Sequence, residues 1–233
     1  NNTAALSGGG VVVTSGAGSI LAQNSTIVNN TAGATAANTG GGGLARTSAT
    51  AGTITVQNSI VSGNSNTPGP DIYSRAGTTT NVNFSAVGDA LGWTPSGTSG
   101  NNLAFGLNLM LTGLSGNGGA TQTIVPLTGS PLINAGSNAL VPAAIALNDQ
   151  RGVTFDRVFG GTVDIGAYEV QPPKVTIEQA ATQVDPTNVA PIVFTVKFNS
   201  PVTDFVDSDV SFLGSTVGGA LAASVAGSGM SYT

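Results

Sequence analysis

The chain has 233 residues, of which only 7% are charged, and its formal net charge is −5. This balance excludes the clustered Lys and Arg with which a nucleic-acid-binding groove neutralises phosphates. No apolar run approaches the roughly 18 residues of a membrane-spanning helix, and the lack of cysteine excludes a disulfide framework or a thiolate metal site.

The composition favours an all-β fold. Apolar residues make up 40% of the chain, which is enough for a core, whereas Glu and Lys, both good helix formers, occur only twice each. β-Branched residues are instead interspersed with 34 glycines and many asparagines. This pattern is typical of short strands joined by tight turns.

A repeat occupies the first third of the chain. QNSTIVNN (23–30) recurs as QNSIVSGN (57–64) after 34 residues, and SGGGVVV (7–13) recurs as GGGGLAR (40–46) after 33. Each repeat is too small to bury its own apolar side chains, so successive repeats must stack. We therefore predict a right-handed parallel β-helix, a solenoid of stacked coils.

Stacking at about 4.8 Å would place equivalent side chains over one another. The spacing predicts that Ile27 lies over Val61 and Thr26 over Ile60. Asparagines at the bends would adopt a left-handed backbone and hydrogen-bond to the next coil. Neutral side chains suit such columns, because like charges repeated in every coil would repel each other.

The repeat weakens from about Thr78. Residues 78–93 contain one alternating strand, and residues 96–136 are typical of shorter strands and loops, which we interpret as a terminal coil.

Charge is concentrated in NDQRGVTFDRVFGGTVDIGAYE (148–169), where six ionic side chains follow 147 residues that hold only four. As a carboxylate site, the stretch could bind calcium or act as acid and base on a polysaccharide. As a structural cap, it would close the solenoid end, with Asp149–Arg151 and Asp156–Arg157 hydrogen-bonding to each other and to loop backbone, and Phe155 and Phe159 among the plugging residues. We favour the cap, formed by Asp149, Arg151, Asp156, Arg157, Asp164 and Glu169.

A second domain follows the proline-containing linker QPPK (171–174). Short alternating strands are expected at 175–177, 192–198, 209–212 and 221–226. Sixty residues fall short of the roughly 100 of an immunoglobulin-type sandwich. We therefore expect a β-helix at 1–170, the linker at 171–174 and a truncated immunoglobulin-like (Ig-like) β-sandwich at 175–233.

A weak calcium site is also conceivable in the second domain, formed by Asp204, Asp207 and Asp209. These aspartates lack the spacing and the glycine of an EF-hand loop, and aspartate at a sandwich turn commonly caps its own backbone. No other cofactor is predicted.

Two strings in the first domain, LSGNGGATQTIVPLTGSPLINAGSNA (114–139) and DQRGVTFDRVFGGTVDIGAYE (149–169), together with the repeats, resemble bacterial choice-of-anchor Q proteins. That family consists of surface or secreted right-handed parallel β-helices, distantly similar to the passengers of polymorphic outer-membrane proteins. Its motif often has Asp where this chain has Asn134. Residues 174–233 resemble the first two thirds of a bacterial Ig-like repeat, which usually occurs in strings on very large surface proteins.

The resemblance implies an extracellular or cell-surface location and further Ig-like repeats in the same protein. Our leading hypothesis is a non-enzymatic, adhesin-like rod whose partners would be carbohydrate or a host or neighbouring cell surface. The alternatives are a carbohydrate-active β-helix, resembling a polysaccharide lyase or glycoside hydrolase, and a calcium-dependent adhesive module. The lack of histidine, and of charged side chains other than Arg46 and Arg75 on the repeating coils, disfavours catalysis there.

Overall fold

The computed structural model describes residues 1–33, 35–187 and 189–233. It confirms the all-β class: the helical elements of the described residues are three short 3₁₀ turns at Asn138–Leu140, Ala143–Ile145 and Asp207–Asp209. The chain divides into two compact units, Asn1–Gln171 and Pro172–Thr233. No helix in the described part of the chain is long and apolar enough to cross a membrane.

The first unit contains eleven short strands. They are β1 (Thr3–Ala4), β2 (Val11–Val13), β3 (Ile20–Gln23), β4 (Thr26–Val28), β5 (Thr31–Ala32), β6 (Leu44–Arg46), β7 (Gly52–Gln57), β8 (Ile60–Ser62), β9 (Ile72–Ser74), β10 (Thr78–Asn83) and β11 (Ala86–Val87). Nine of them form three parallel sheets with the strand orders β2-β6-β9, β3-β7-β10 and β4-β8-β11, and β1 pairs with β5. The chain therefore visits the same three sheets, in the same order, three times.

Strand pairing confirms the repeat register that the sequence predicts. Ile27 pairs with Val61 and Thr26 pairs with Ile60 in the β4–β8 ladder. Asn24 and Asn58, one repeat apart at the bend that follows β3 and β7, have φ angles of 42° and 46°, as expected for left-handed asparagines.

The third pass extends further than the sequence suggested. Strand β10 pairs with all six residues of β7, so the expected weakening of the repeat at Thr78 does not interrupt the sheet. The spacing drops to 26 residues, since Ile60 pairs with Ala86. The loops shorten while the strands keep their register, and for that reason similarity of letters is lost where similarity of backbone persists.

Apolar side chains form two clusters on opposite faces of the β4-β8-β11 sheet. Val61 belongs to the inner cluster and its neighbour Ile60 to the outer cluster, as alternation along a strand requires. The inner cluster comprises Ile20, Leu44, Ile54, Val56, Val61, Ile72, Val82 and Val87. The outer cluster comprises Ile60, Ala86, Leu109, Leu132 and Ile165, so later parts of the chain cover the outside of this sheet.

Residues 95–106, here called the end segment, cover the last strands of the stack. The N–H groups of Ser96 and Gly100 donate to the carbonyls of Thr80 and Val82 in β10. Trp93, just before the end segment, packs against the inner cluster. The exposed edge expected at the end of a stack of strands is thus covered by neutral chain.

A fully buried arginine ties together the loops of successive passes. The Arg46 side chain donates to the carbonyls of Gly16, Gly18 and Thr50 and to the hydroxyl of Thr78, at 2.6–3.1 Å. These partners are all uncharged. Guanidinium offers five N–H donors in a fixed fork, which suits it to several loop carbonyls that the sheets leave unpaired.

The second unit holds one antiparallel sheet in its described residues. Strands β12 (Val175–Gln179), β13 (Phe194–Val202) and β14 (Gly227–Tyr232) lie in that order. Phe198, Phe205 and Tyr232 contact each other edge to face, with ring centroids 5.3–5.8 Å apart.

Two of the four strands expected in this unit are wrong. Residues 209–212 begin at the end of a 3₁₀ turn and do not form a strand, and residues 221–226 are irregular, with the strand lying directly after them at Gly227–Tyr232. The Asp207 carboxylate accepts the Val225 N–H at 2.6 Å. A sheet partner is therefore not available to that N–H, although the apolar pattern around it is typical of a strand.

We predict that Arg46→Met lowers the free energy of unfolding of the first unit by about 2 to 4 kcal/mol, because three loop carbonyls lose their donor inside the fold. Urea unfolding of the full chain would measure it. Arg75→Met is the matched control: Arg75 is only half-buried and donates to the Thr47 carbonyl, so its loss should cost less than about 1 kcal/mol. Equal effects of the two substitutions would contradict the role given to Arg46.

Candidate functional site

The charged segment (residues 148–169) lies along the flank of the first unit. The Gly166 N–H donates to the Asn58 carbonyl at 2.8 Å, and the Ala167 N–H donates to the Thr26 hydroxyl at 3.1 Å. These contacts reach the second and the first pass of the chain, respectively. The expectation that this segment closes the end of the stack is therefore wrong, because the neutral end segment occupies that place.

Asp149 and Arg151 form a buried ion pair, as the sequence suggested. Arg151 Nη2 lies 2.7 Å from Asp149 Oδ2, and both side chains are almost wholly inaccessible. The guanidinium also lies over the rings of Phe155 and Tyr168, 3.9 and 3.6 Å from their centroids, a geometry that attracts a desolvated cation. Its remaining donors bond to the Tyr168 hydroxyl and the Glu169 carbonyl.

Arg157 pairs with Glu169, which the sequence had not indicated. Arg157 Nη2 lies 3.3 Å from Glu169 Oε2, and Nη1 donates to the Ala167 carbonyl. The expected ion pair was Asp156 with Arg157, but Asp156 is exposed whereas Arg157 is buried. Adjacent residues of an extended chain point to opposite sides, so a partner twelve positions away is reached more easily than the next residue.

Every other carboxylate oxygen of the network meets backbone donors. Glu169 accepts the N–H groups of Phe159 and Asp164 at 2.7 and 2.9 Å. Asp164 in turn accepts those of Asn134 and Val170 at 2.7 and 2.6 Å. Charge-assisted bonds of this kind hold an irregular chain in one conformation.

The aromatic residues of the segment are divided. Phe155 is buried, as expected for a plug, but Phe159 is 39% exposed and contributes its backbone N–H instead. Residues 163–169 are all buried, so the two sides of this stretch both face protein.

Burial perturbs the acids of this network. The network contains three carboxyls (Asp149, Asp164 and Glu169) and two guanidiniums, which leaves one negative charge in excess (3 − 2 = 1). Desolvation raises the pKa of Glu169 from 4.5 to about 7, with the Asp164 charge acting in the same direction against the N–H donors and Arg157. Desolvation also raises the pKa of Asp164. A single proton taken up by the network would neutralise it.

A second polar feature, missed by sequence reasoning in part, is a ladder of amides on the repeating coils. The Asn2 side chain donates to that of Asn30, Asn30 donates to Asn64, and Asn64 donates to the Asp71 carboxylate, at 2.8–3.1 Å. The Asn30-to-Asn64 step follows from the repeat. The signal for Asp71 was its rarity: it is one of four charged residues before the charged segment, and it is buried. Desolvation raises the pKa of Asp71.

The three aspartates proposed for calcium do not converge. Asp207 Oδ1 accepts the Val225 N–H and Asp209 Oδ2 accepts the Val206 N–H, so both act as backbone caps. Among residues 1–33, 35–187 and 189–233, no group of three or more His, Cys, Asp or Glu side chains is placed to hold a metal ion.

An open groove lies between β4 and the chain around residues 107–124. Its two compartments have volumes of about 630 and 330 Å³ and share Val28, Asn29, Thr112 and Ile124. No charged side chain lines either compartment. Such a groove offers amides, hydroxyls and methyl groups, but neither a carboxyl pair for acid–base chemistry nor a cationic side chain to bind a uronate.

No protein-family model, curated protein or solved structure matches the chain. The resemblance to choice-of-anchor Q proteins therefore stays a prediction, and function must be inferred from this chain's own residues.

We predict that Arg151→Ala and Arg157→Ala each destabilise the first unit by about 3 to 5 kcal/mol, because each leaves a buried carboxylate without its cation. Thermal or urea unfolding measures the effect. The control is Asp156→Asn in the same segment, whose exposed side chain should leave the stability within about 0.5 kcal/mol of the parent. Unchanged stability of both arginine variants would remove the structural interpretation of the network.

We also predict that the first unit is more stable at pH 5 than at pH 8. Because the pKa of Glu169 in the folded state, about 7, exceeds the ordinary value of 4.5, the stabilisation is fully present below pH 4.5 and is lost as the pH rises through 7. Urea midpoints between pH 5 and 8 measure it. Glu169→Gln should flatten the profile, whereas Asp156→Asn should preserve it; a midpoint that rises with pH in the parent would contradict the prediction.

Proposed function

We propose that the first unit is a right-handed parallel β-helix and that it serves as a non-enzymatic rod in a secreted or cell-surface protein. The three-fold visit to the same parallel sheets supports the β-helix. The spacings of 34, 33 and 26 residues fit coils that differ in their loops and agree in their strands. A role in display would need stiffness, and stacked coils provide it because every strand bonds along the stacking direction.

The observation that carries the non-enzymatic proposal is the saturation of the buried carboxylates. Asp149, Asp164 and Glu169 each accept two or more hydrogen bonds from within the protein, and their side chains are inaccessible to solvent. A general acid or base must reach the proton that it transfers. A raised pKa, as at Glu169, is common at active sites, but here it accompanies burial without a cleft to receive substrate.

The rival proposal is a carbohydrate-active β-helix. The neutral groove is the one feature of the described chain that favours it, since its length and its amides suit a neutral sugar chain. Its lining lacks the two carboxyls that glycoside hydrolysis uses. We therefore propose, at most, a role in binding a carbohydrate or another cell-surface component in an adhesin-like protein.

For the second unit we propose an Ig-like spacer that leads to further repeats of the same kind. The antiparallel order β12-β13-β14 and the aromatic cluster around Tyr232 support a β-sandwich half. The choice-of-anchor Q family, suggested by residues 114–139 and 149–169, is the family that we propose for the first unit.

We expect no cleavage when the full chain is incubated with pectin, alginate, glycosaminoglycans and neutral glucans. New reducing ends, or the ultraviolet absorbance of an unsaturated uronate, would establish the carbohydrate-active alternative instead. Glu169→Gln and Asp164→Asn, prepared in parallel, separate the two proposals: cleavage that they abolish would place catalysis in the buried network, and cleavage that they leave intact would place it elsewhere. Immunolabelling of intact cells that produce the protein tests the proposed surface location separately.

A further inference from the structure

The first edge of the repeating stack has no strand against it. β2, β3 and β4 are each the terminal strand of their sheet. Val11 is 44% exposed, whereas the residues that follow it in the same column, Leu44 and Ile72, are fully buried. One side of the inner cluster is thus open at this edge.

Polar groups at this edge are also incomplete relative to the later passes. The Ser59 hydroxyl accepts the Ser25 N–H, and the Ser85 hydroxyl accepts the Ser59 N–H, at 3.1 Å each. The Gln57 amide oxygen accepts Nε2 of Gln23 at 2.9 Å. The hydroxyl of Ser25 and the amide oxygen of Gln23 hold the corresponding positions at the open edge, and no such donor from a preceding strand reaches them within the described residues.

The backbone of β3 is oriented for a further partner. The Asn24 N–H donates to the Gln57 carbonyl, so the backbone of Asn24 faces β7. Alternate residues of a strand face opposite neighbours. The N–H and C=O groups of Leu21 and Gln23 therefore point to the open side, where Leu21 is 61% exposed.

This edge lacks the usual protection. Natural sheets blunt exposed edges with charged side chains, proline or bulges. The first 45 residues contain neither a charged residue nor a proline. An edge that is neutral, apolar and in register with two further passes is a template for strand addition.

We propose that the β3–β4 edge is a binding site for one more strand pair of this repeat, an uncharged segment with Gln-Asn-Ser between two β-branched strands. The segment would lie parallel to β3 and β4, with its glutamine amide on Gln23 and its serine N–H on the Ser25 hydroxyl. It would continue the β3–β7 and β4–β8 interfaces by one step. The inference goes beyond the display role, and it rests on strand register alone.

The test uses a fluorescent peptide with the sequence of residues 52–63, GTITVQNSIVSG, which already pairs with β3 and β4 on their other side. Titration of the full chain should give saturable anisotropy, and a scrambled peptide should bind at least tenfold more weakly. No saturable binding up to millimolar protein, or equal binding of the scrambled peptide, would overturn the proposal. Neither result bears on the polysaccharide assay, so failure here is distinguishable from failure of the proposed function.

Register is tested by charge. Leu21 pairs with Thr55, so a peptide carrying Thr55→Lys should place its lysine beside residue 21. It should bind Leu21→Glu about threefold to tenfold more tightly than Leu21→Lys, given the energies of cross-strand charge pairs. Leu91, which is 62% exposed and outside the strands, is the matched control, and Leu91→Glu and Leu91→Lys should not differ. A Leu21 pair that behaves like the Leu91 pair would overturn the proposal, as would a dimer of the chain that Leu21→Lys dissociates.

Discussion

In-register parallel pairing is the constraint on which the rest of the first unit depends. It sets each side chain against its counterpart one pass away, so a column is stable only if its members are apolar, or can hydrogen-bond to their own kind. The Gln23–Gln57 and Asn30–Asn64 amide pairs satisfy it because an amide carries both a donor and an acceptor. A carboxylate or an ammonium group cannot do so, and this explains why the coils contain so few charges. Arg46 is admitted because its column neighbours are Val13 and Ser74.

Charge returns where the constraint ends. The charged segment does not repeat, so its side chains meet different partners and can pair with opposite charges. Arg151 and Arg157 then do for irregular chain what sheet hydrogen bonds do for the coils: they satisfy carbonyls and fix the path. The cost is an excess negative charge in a dry environment, which explains the raised pKa of Glu169. Concentrated charge in a charge-poor chain is therefore a sign of local folding as readily as of catalysis.

The sequence predicted those features that repeat and few of those that do not. A 34-residue spacing fixed the pairing of residues 23–30 with 57–64, because identical letters in parallel strands have one favourable register. The 26-residue third pass escaped, since β7 and β10 share backbone pairing and little sequence. The partner of Arg157 also escaped, because the path of an irregular segment depends on tertiary contacts that no local pattern encodes.

The flank position of the charged segment has a consequence for cooperativity. Stacked repeats contact only their neighbours, so a purely repetitive unit can fray one pass at a time from an open edge. Here the Ala167 N–H bonds to Thr26 in the first pass, and the Gly166 N–H bonds to Asn58 in the second. Ile165 meanwhile packs in the outer cluster with Ala86 of the third pass. One non-repeating segment thus contacts all three passes, which couples the open edge at β3 to the buried ion pairs and makes loss of either a loss for the whole unit.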